Sequence, residues 1–373
     1  MPMLSPLLAL TLIAADAPAA RIAPPPPASD VPSWYLTVAE AVRVGLANSP
    51  ILRETSPASG PVAVPPGRED RSANVVIIRV DRDASEWKFQ ADVSAHVRSI
   101  EQQYWALSSQ QTDVWIREAT LKLAEEAVRR EKANEPQFGR GILADMAEAE
   151  QALEALKAGL ETARADRATL ERNFRNMLGL PIEDRRKMVA ATPPVLTPSR
   201  PEWEASLAEM TAKHPDIEAA RRALADAESR ANQRHDDTAL DKPKTAYDQA
   251  LLATTRSLAR SFAAIGAEYD HLKAAQRLTI AAQQRLAAQR AFHDEGRITI
   301  DRLLDAVAQY ANAVTQEGLC ASSYNTALAA FEEARGTILL YEGVRIVNPS
   351  RRPEVQGKID TPTPAERVTN AAP

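Results

Sequence analysis

An all-α chain, built as two tandem repeats of a long coiled-coil-like helical hairpin with little or no β structure, is what this sequence predicts. Three observations carry the prediction. The first is composition. Of 373 residues, 45% are apolar, with alanine a large share, while aromatics are 5% and glycines number 13. Such chains favour helices, because Ala, Leu and the straight-chain polar residues lose little side-chain freedom there. The second is internal repetition. "GRGILADMAEA" from Gly139 and "GRITIDRLLDA" from Gly296 lie 157 residues apart, and the same offset pairs Leu121 with Leu278, Phe174 with Phe331 and Gly179 with Gly336. Pro50 and Pro215 are 165 apart, so the first copy carries about eight extra residues in between. This is a duplicated unit of about 160 residues. The third is a seam stepping by threes and fours: Leu153, Leu156, Leu160, Ala163, Leu170, Phe174 and Met177, broken by Arg167. Its counterparts are Tyr310, Ala313, Glu317, Cys320, Ala327, Phe331 and Ala334. A sustained 3–4 alternation marks helices crossing at a shallow angle.

The elements follow in chain order. Residues 1–19 read as a signal peptide, with the apolar run Leu7–Ala15 as its h-region and Ala17-Pro-Ala19 as an A-x-A site, although no Lys or Arg precedes the run. Residues 20–35 are a Pro-rich linker. The first helical repeat covers 36–180. It opens on "LTVAEAVRVGLANSP", where Thr37 and Glu40 have the spacing of a capping box and Pro50 ends the helix. Within it, 57–92 is an irregular spacer whose "NVVIIRV" is one candidate strand. A hairpin then runs from about Val93 to Gly179 and breaks at "NEPQFGRG". Residues 181–203 are a second linker. The second helical repeat covers 204–342, interrupted at Pro215 and by the polar "HDDTALDKPK", with its long helix starting near Tyr247 and turning at Gly296. Residues 343–373 read as a disordered tail.

Several kinds of chemistry find no support in the residues. The formal net charge is −5 with both signs mixed, and no basic stripe carries interleaved aromatics, so nucleic acid is not an expected partner. His96, His214, His235, His271 and His293 show no metal-ligand spacing, and "HDD" at 235 and "HDE" at 293 read as solvated turns. No phosphate loop or nucleophile elbow occurs. Catalysis, cofactor and metal are therefore not expected. Cys320, the only cysteine, falls on the seam and reads as a buried small residue. Trp105 and Trp115 read as helix-packing residues. No stretch of about 20 apolar residues offers a membrane-spanning helix. The seams are thin, and self-association is the natural remedy for so little buried apolar surface.

Five segments carry a resemblance to the TolC-like outer-membrane efflux proteins. They are "LTVAEAVRVGLANSP", the turns "GRGILADMAEAEQAL" and "GRITIDRLLDAVAQY", "LERNFRNMLGLP", and "KHPDIEAARRALADAES", together spanning about Leu36 to Leu340. The resemblance implies a homotrimer whose twelve helices form a periplasmic α-barrel. It also implies a periplasmic adaptor (membrane fusion) protein and an inner-membrane pump as partners. The turns at Gly139, Arg140 and Gly141 and at Gly296 and Arg297 would be the inner tips that dock on the adaptor. Asp145 and Asp305 match positions that line the family's constricted aperture; Arg302 replaces a second acid there, with Asp301 displaced by one. Read as residues alone, these acids are equally well helix N-terminal charges on a wet surface.

The sequence departs from the family where membrane strands belong. The spacer 57–92 offers one strand and the second site, about 232–246, none, whereas a membrane strand needs about 9–11 alternating residues. Two functions follow: a TolC-like efflux or secretion duct subunit in the cell envelope, outer-membrane-associated or periplasmic, or a soluble cell-envelope coiled-coil scaffold derived from that fold without transport.

Overall fold

The computed structural model describes residues 33–49, 76–79, 86–134, 142–181, 183–184, 186–234 and 240–347. In chain order the elements are β1 (Ser33–Leu36), α1 (Val38–Asn48), β2 (Val76–Arg79), α2 (Glu86–Asn134), α3 (Ile142–Met177), β3 (Lys187–Ala190), α4 (Trp203–Lys213), α5 (Pro215–Arg234), α6 (Asp241–Asp294), α7 (Ile300–Arg335), α8 (Ile338–Tyr341) and β4 (Val344–Val347). The two long hairpins are α2–α3 and α6–α7. At 1.5 Å per residue, α2 and α6 are about 74 and 81 Å long.

The helices lie side by side in the order α3, α2, α7, α6. Flanked on both sides, α2 has no single apolar face. Ile100, Tyr104, Leu107, Ile116, Ala124 and Val128 are all buried although they point around the helix. α3 and α6 each have one neighbour along most of their length, and their outer faces stay open.

Apolar clusters are strung along the helices, one per level. At the end away from the tips, α1, the start of α2 and the end of α3 enclose Val42, Leu46, Ile100 and Phe174. The equivalent cluster of the second repeat holds Met210, Ile217, Leu258, Tyr324 and Phe331. Near the tips, Val128, Met146, Leu286, Ile300, Leu304 and Val307 bring all four long helices together.

The duplication is visible in the helix ends. α3 closes with Gly179 N–H donating to the Asn176 carbonyl (3.1 Å) and Leu180 N–H to the Arg175 carbonyl (3.1 Å). α7 closes with Gly336 N–H on Glu333 (2.9 Å) and Thr337 N–H on Glu332 (2.8 Å). Each acceptor lies 157 residues after its counterpart, and both glycines are left-handed, at φ +62° and +77°. This is the paired-bond helix ending that favours glycine.

Three segments read as unstructured hold short strands. β1 lies in 20–35, β3 in 181–203 and β4 in 343–373. β1 pairs in parallel with β3, Ser33 opposite Lys187, and β2 pairs in parallel with β4, Val76 opposite Val344. Four-residue strands are too short to show a period against prolines. The linker after β3 is a strap tied down by buried polar side chains. The Tyr104 hydroxyl accepts from Thr192 N–H (2.7 Å) and donates to the Leu36 carbonyl (2.9 Å). Asn325 both accepts from and donates to the Val195 backbone (2.9 and 3.1 Å). Tyr324 does the same between Ser199 (2.9 Å) and Thr197 (2.9 Å).

Helix starts also differ from the sequence reading. α2 begins at Glu86, inside the expected spacer, and α6 at Asp241, six residues before Tyr247. Pro243 delays the pattern but sits in the first turn, where its missing N–H has no intrahelical partner to lose. Pro215 opens α5 for the same reason. The signal-peptide segment 1–19 and most of the spacer lie outside the described residues.

The seams are partly as read. Leu160, Ala163 and Phe174 are buried, and so are Ala313, Ala327, Phe331 and Ala334. Arg167 is buried too, its guanidinium donating to the Met188 carbonyl at 3.0 Å, which is how a charge fits the seam. Glu317 and Cys320 are only half-buried. α7 packs on two neighbours, so Leu303, Val307, Val314 and Tyr324 form a wider buried arc than one seam. Trp105 is buried edge-on against Tyr104 (5.2 Å between centroids), and Trp115 packs by Ile116, Ala311 and Val314.

Candidate functional site: the hairpin tip and the helix edges

The second tip is a defined structure. α6 ends with Gly296 at φ +70°, its N–H donating to His293 (2.9 Å), while Arg297 N–H donates to Phe292 (2.8 Å). A side chain at Gly296 would meet nothing within 4 Å, so glycine is needed there for its backbone alone. The Arg297 guanidinium stacks on the Phe292 ring, 4.5 Å from its centroid, and contacts the Glu295 carboxylate at 3.2 Å. That is the side-chain contact that accompanies this helix ending. Arg297 is thus part of the turn, with its side chain 63% exposed. Gly139, Arg140 and Gly141 lie outside the described residues. Asp145 is in the first turn of α3, and its side chain is likewise outside them.

Asp301, Arg302 and Asp305 come together on α7. They line one side of an open groove of about 620 Å³, with Ala152 and Leu156 of α3 opposite and Arg117 of α2 along it. Asp305 accepts from Gln309 Nε2 (3.2 Å) and lies 3.8 Å from the Arg285 guanidinium, which also donates to Gln309 Oε1. Asp305 therefore ties α7 to α6. Asp301 is half-buried in the first turn of α7, where an acid suits the positive end of the helix dipole.

Two features were not read from the sequence. His293, taken for a solvated turn residue, is 14% exposed in its side chain and lies 3.6 Å from the Glu131 carboxylate of α2, linking the two hairpins at the tip. Nothing in a lone H-D-E signals a partner 162 positions away. Midway along the bundle, buried Asp113 accepts from Arg117 Nε (2.8 Å) and the Thr315 hydroxyl (2.5 Å), joining α2 to α7. Gln110 beside it donates to the Ala163 carbonyl of α3 (3.1 Å). Among the described residues, no three His, Cys, Asp or Glu side chains are grouped to hold a metal ion, and no helix is long and apolar enough to cross a membrane.

The outer edges carry a pattern of their own. On α3, Ala147, Gln151, Ala155, Ala158, Thr162, Ala165 and Thr169 are all exposed and step by threes and fours. On α6, Leu252, Arg256, Ala259, Ala263, Ala267, Asp270, Ala274, Arg277, Ala281, Gln284 and Ala288 do the same over ten turns of helix. Leu278 and Ile280 flank that stripe at 55% and 43% exposure. Toward the tip the α3 edge is acidic, with Glu148, Glu150, Glu154 and Glu161 exposed, while α6 presents Lys273, Arg277 and Arg285.

Two long helical hairpins, laid side by side and each closing its returning helix on a left-handed glycine, define the fold of a subunit of a TolC-like channel's helical tunnel. The solved structures agree. The chain matches the outer-membrane channel OprN at a TM-score of 0.55 and 17% identity, over 68% of each chain. It matches CusC, described for conformational changes accompanying folding and transmembrane channel formation, at 0.55 and 16%, over 67% of this chain and 70% of that one. It matches the outer membrane protein VceC from Vibrio cholerae at 0.50 and 13%, over 67% and 72%. No protein-family model matches the sequence, and no curated protein does. At these identities the likeness establishes the fold.

Proposed function

We propose that copies of this chain close edge to edge, α3 of one against α6 of the next, into a helical duct of the bacterial cell envelope that serves efflux or secretion. The carrying observation is the pair of exposed, alanine-rich stripes on the two outermost helices, the α6 one interrupted by Leu252, Arg256, Asp270, Arg277 and Gln284. A stripe of alanines stepping by threes and fours lets backbones approach closely, and leaving both faces in water would waste the match. The two edges are different surfaces, so their contact is head-to-tail and forms a ring if the rotation closes. The fold shared with channels supports three copies, with an adaptor protein at the Gly139–Gly141 and Gly296–Arg297 tips and an inner-membrane pump beyond it. Asp301, Arg302 and Asp305 would line the inner mouth of the duct, with Asp145 beside them. No catalytic step is assigned to any of these residues.

The joint between α5 and α6 shapes this reading. Between Arg234 and Asp241 there is no room for two membrane strands of about 9–11 residues each. We therefore assign the chain the envelope-internal part of such a duct, associated with the outer membrane through partners or through the 57–92 segment.

The test is the mass of the purified chain in mild detergent and without it, for the native sequence and for Ala158→Trp with Ala263→Trp. Both substituted positions are exposed in the single chain. The expected result is a trimer that the two tryptophans dissociate without loss of helical circular dichroism. A folded native monomer at micromolar concentration would leave the soluble scaffold as the better description.

A further inference from the structure

Beyond the duct reading, and independent of it, the second repeat ends in a corner that encloses a buried carboxyl. There α7 and α8 pack on α2, and β4 packs on α8. Glu101 of α2 is buried there, 3% exposed, and its Oε1 has no hydrogen-bond partner. The charges acting on it are two further carboxylates, Glu342 after α8 and Glu332 at the end of α7.

The nearby cations lie against other carboxylates. Arg335 holds Glu332 (2.8 Å) and Glu209 of α4 (3.2 Å). Arg98, one turn from Glu101, has its Nε 2.6 Å from the Glu333 carboxylate, an ion-pair contact without hydrogen-bond geometry. Lys213 of α4 holds Glu209 at 2.9 Å. His214 of α4 lies against Gly336, and burial lowers its pKa, so it brings no charge at neutral pH. His96, further back along α2, is likewise lowered by burial and bonds toward Gly45. On β4, Arg345 is exposed. Glu332 also accepts from the Thr337 hydroxyl at 2.6 Å, so its charge is well solvated by the protein. Glu101 has no such support.

We propose that Glu101 is a proton-operated latch: as a neutral acid it lets α8, with β4 packed on it, rest on α2, and as a carboxylate facing Glu332 and Glu342 it pushes them off. Desolvation, reinforced by Glu342 and Glu332, raises its pKa well above the ordinary carboxylate range. The folded chain therefore keeps a proton that the unfolded chain releases. The resulting stabilisation is complete below the ordinary carboxylate pKa of about 4.5 and is lost as pH rises through the folded value. The corner loosens toward alkaline pH, the opposite of the response of a salt-bridged acid.

The experiment is hydrogen exchange with mass spectrometry on the full chain from pH 5 to 9, corrected for the intrinsic pH dependence of exchange. Peptides covering 338–347 should lose protection as pH rises, opening about tenfold more for each pH unit between the ordinary carboxylate pKa and the latch's midpoint, and levelling off above it. Glu101→Gln, which fixes the neutral shape, should make their protection flat with pH. Glu342→Gln leaves Glu101 in place and should move the midpoint downward, because one of the charges that raise the Glu101 pKa is gone. Flat protection in the native chain would overturn the proposal, as would an unchanged slope in Glu101→Gln. Should Glu101→Gln not fold, an unmoved midpoint in Glu342→Gln would overturn it.

Discussion

Gly336 lies directly on His214. A Cβ at Gly336 would come within 2.8 Å of the His214 Cα and 2.9 Å of its nitrogen. One repeat earlier, a Cβ at Gly179 would come within 2.6 Å of the Asn48 Cβ. In both repeats the left-handed end of a returning long helix is pressed against the end of a short helix, α4 in one and α1 in the other. The Asn48 amide adds a hydrogen bond to the Leu178 carbonyl at 2.9 Å. The duplicated glycine therefore does two things, closing its helix and admitting a neighbouring backbone.

Gly336→Ala should therefore destabilise more than Gly296→Ala, although both residues have positive φ. The conformational cost alone is about 1–2 kcal/mol for each. At Gly296 nothing else is touched, whereas at Gly336 the obstruction is backbone and cannot swing away. Chemical denaturation of the two variants should place Gly336→Ala lower by at least about 1 kcal/mol. Equal losses would mean that the α4 end moves freely.

The two long hairpins, the turn at Gly296 and the glycine ends of α3 and α7 were legible in the sequence because they depend on local pattern. What was not legible depends on partners far along the chain. Thr37 does accept from Glu40 N–H at 3.2 Å, but the Glu40 carboxylate accepts from the Trp34 indole at 3.1 Å. The reciprocal half of a capping box is thus replaced by a tie to β1. The strap after β3 looked like a linker because its order comes from Tyr104, Tyr324 and Asn325, whose polar ends gave no hint of what they hold. Asp113 is similar: a single acid in a helix reads as surface, and only the approach of Thr315 and Arg117 makes it a buried junction. Among the candidate site residues, Asp301, Arg302 and Asp305 share a groove, but sequence spacing alone could not pair Asp305 with Arg285.

Acid should act on the knot that follows α3. Arg186 grips Asp184 with Nη2 (2.7 Å) and Nε (3.0 Å) and stacks on Trp34 of β1, 4.4 Å from the ring centroid. These hydrogen bonds, led by the Arg186 side chain, hold the Asp184 carboxyl down at about 2. A lowered carboxylate stabilises above its unfolded pKa, near 3.8, and loses that contribution as pH falls toward 2. Asp184→Asn should cost about 1 kcal/mol at pH 7, the scale of a charge-assisted pair that water still reaches. Thermal melts at pH 4, 3 and 2 should then converge for the native and variant chains. A constant gap between them across that range would remove Asp184 from the acid response.

The membrane offers the most consequential test. In lipid an unpaired backbone group costs several kcal/mol, so open sheet edges do not occur there and a spanning barrel must close. Even the smallest bacterial single-chain barrels use about eight strands. The second repeat of this chain passes from α5 to α6 with residues 235–240 between them, which leaves no length for a strand pair. In the first repeat, β2 is already paired with β4, at the end of the bundle away from the tips. Any strands drawn from the rest of the first spacer, 50–85, would meet prolines at 50, 57, 61, 65 and 66, which remove ladder donors. The pure protein added to lipid vesicles should therefore give no discrete conductance steps, while still binding a cognate adaptor through its tips. Stable unitary channels from the pure chain would mean that the first spacer, or a segment reorganised on entering lipid, closes a barrel after all.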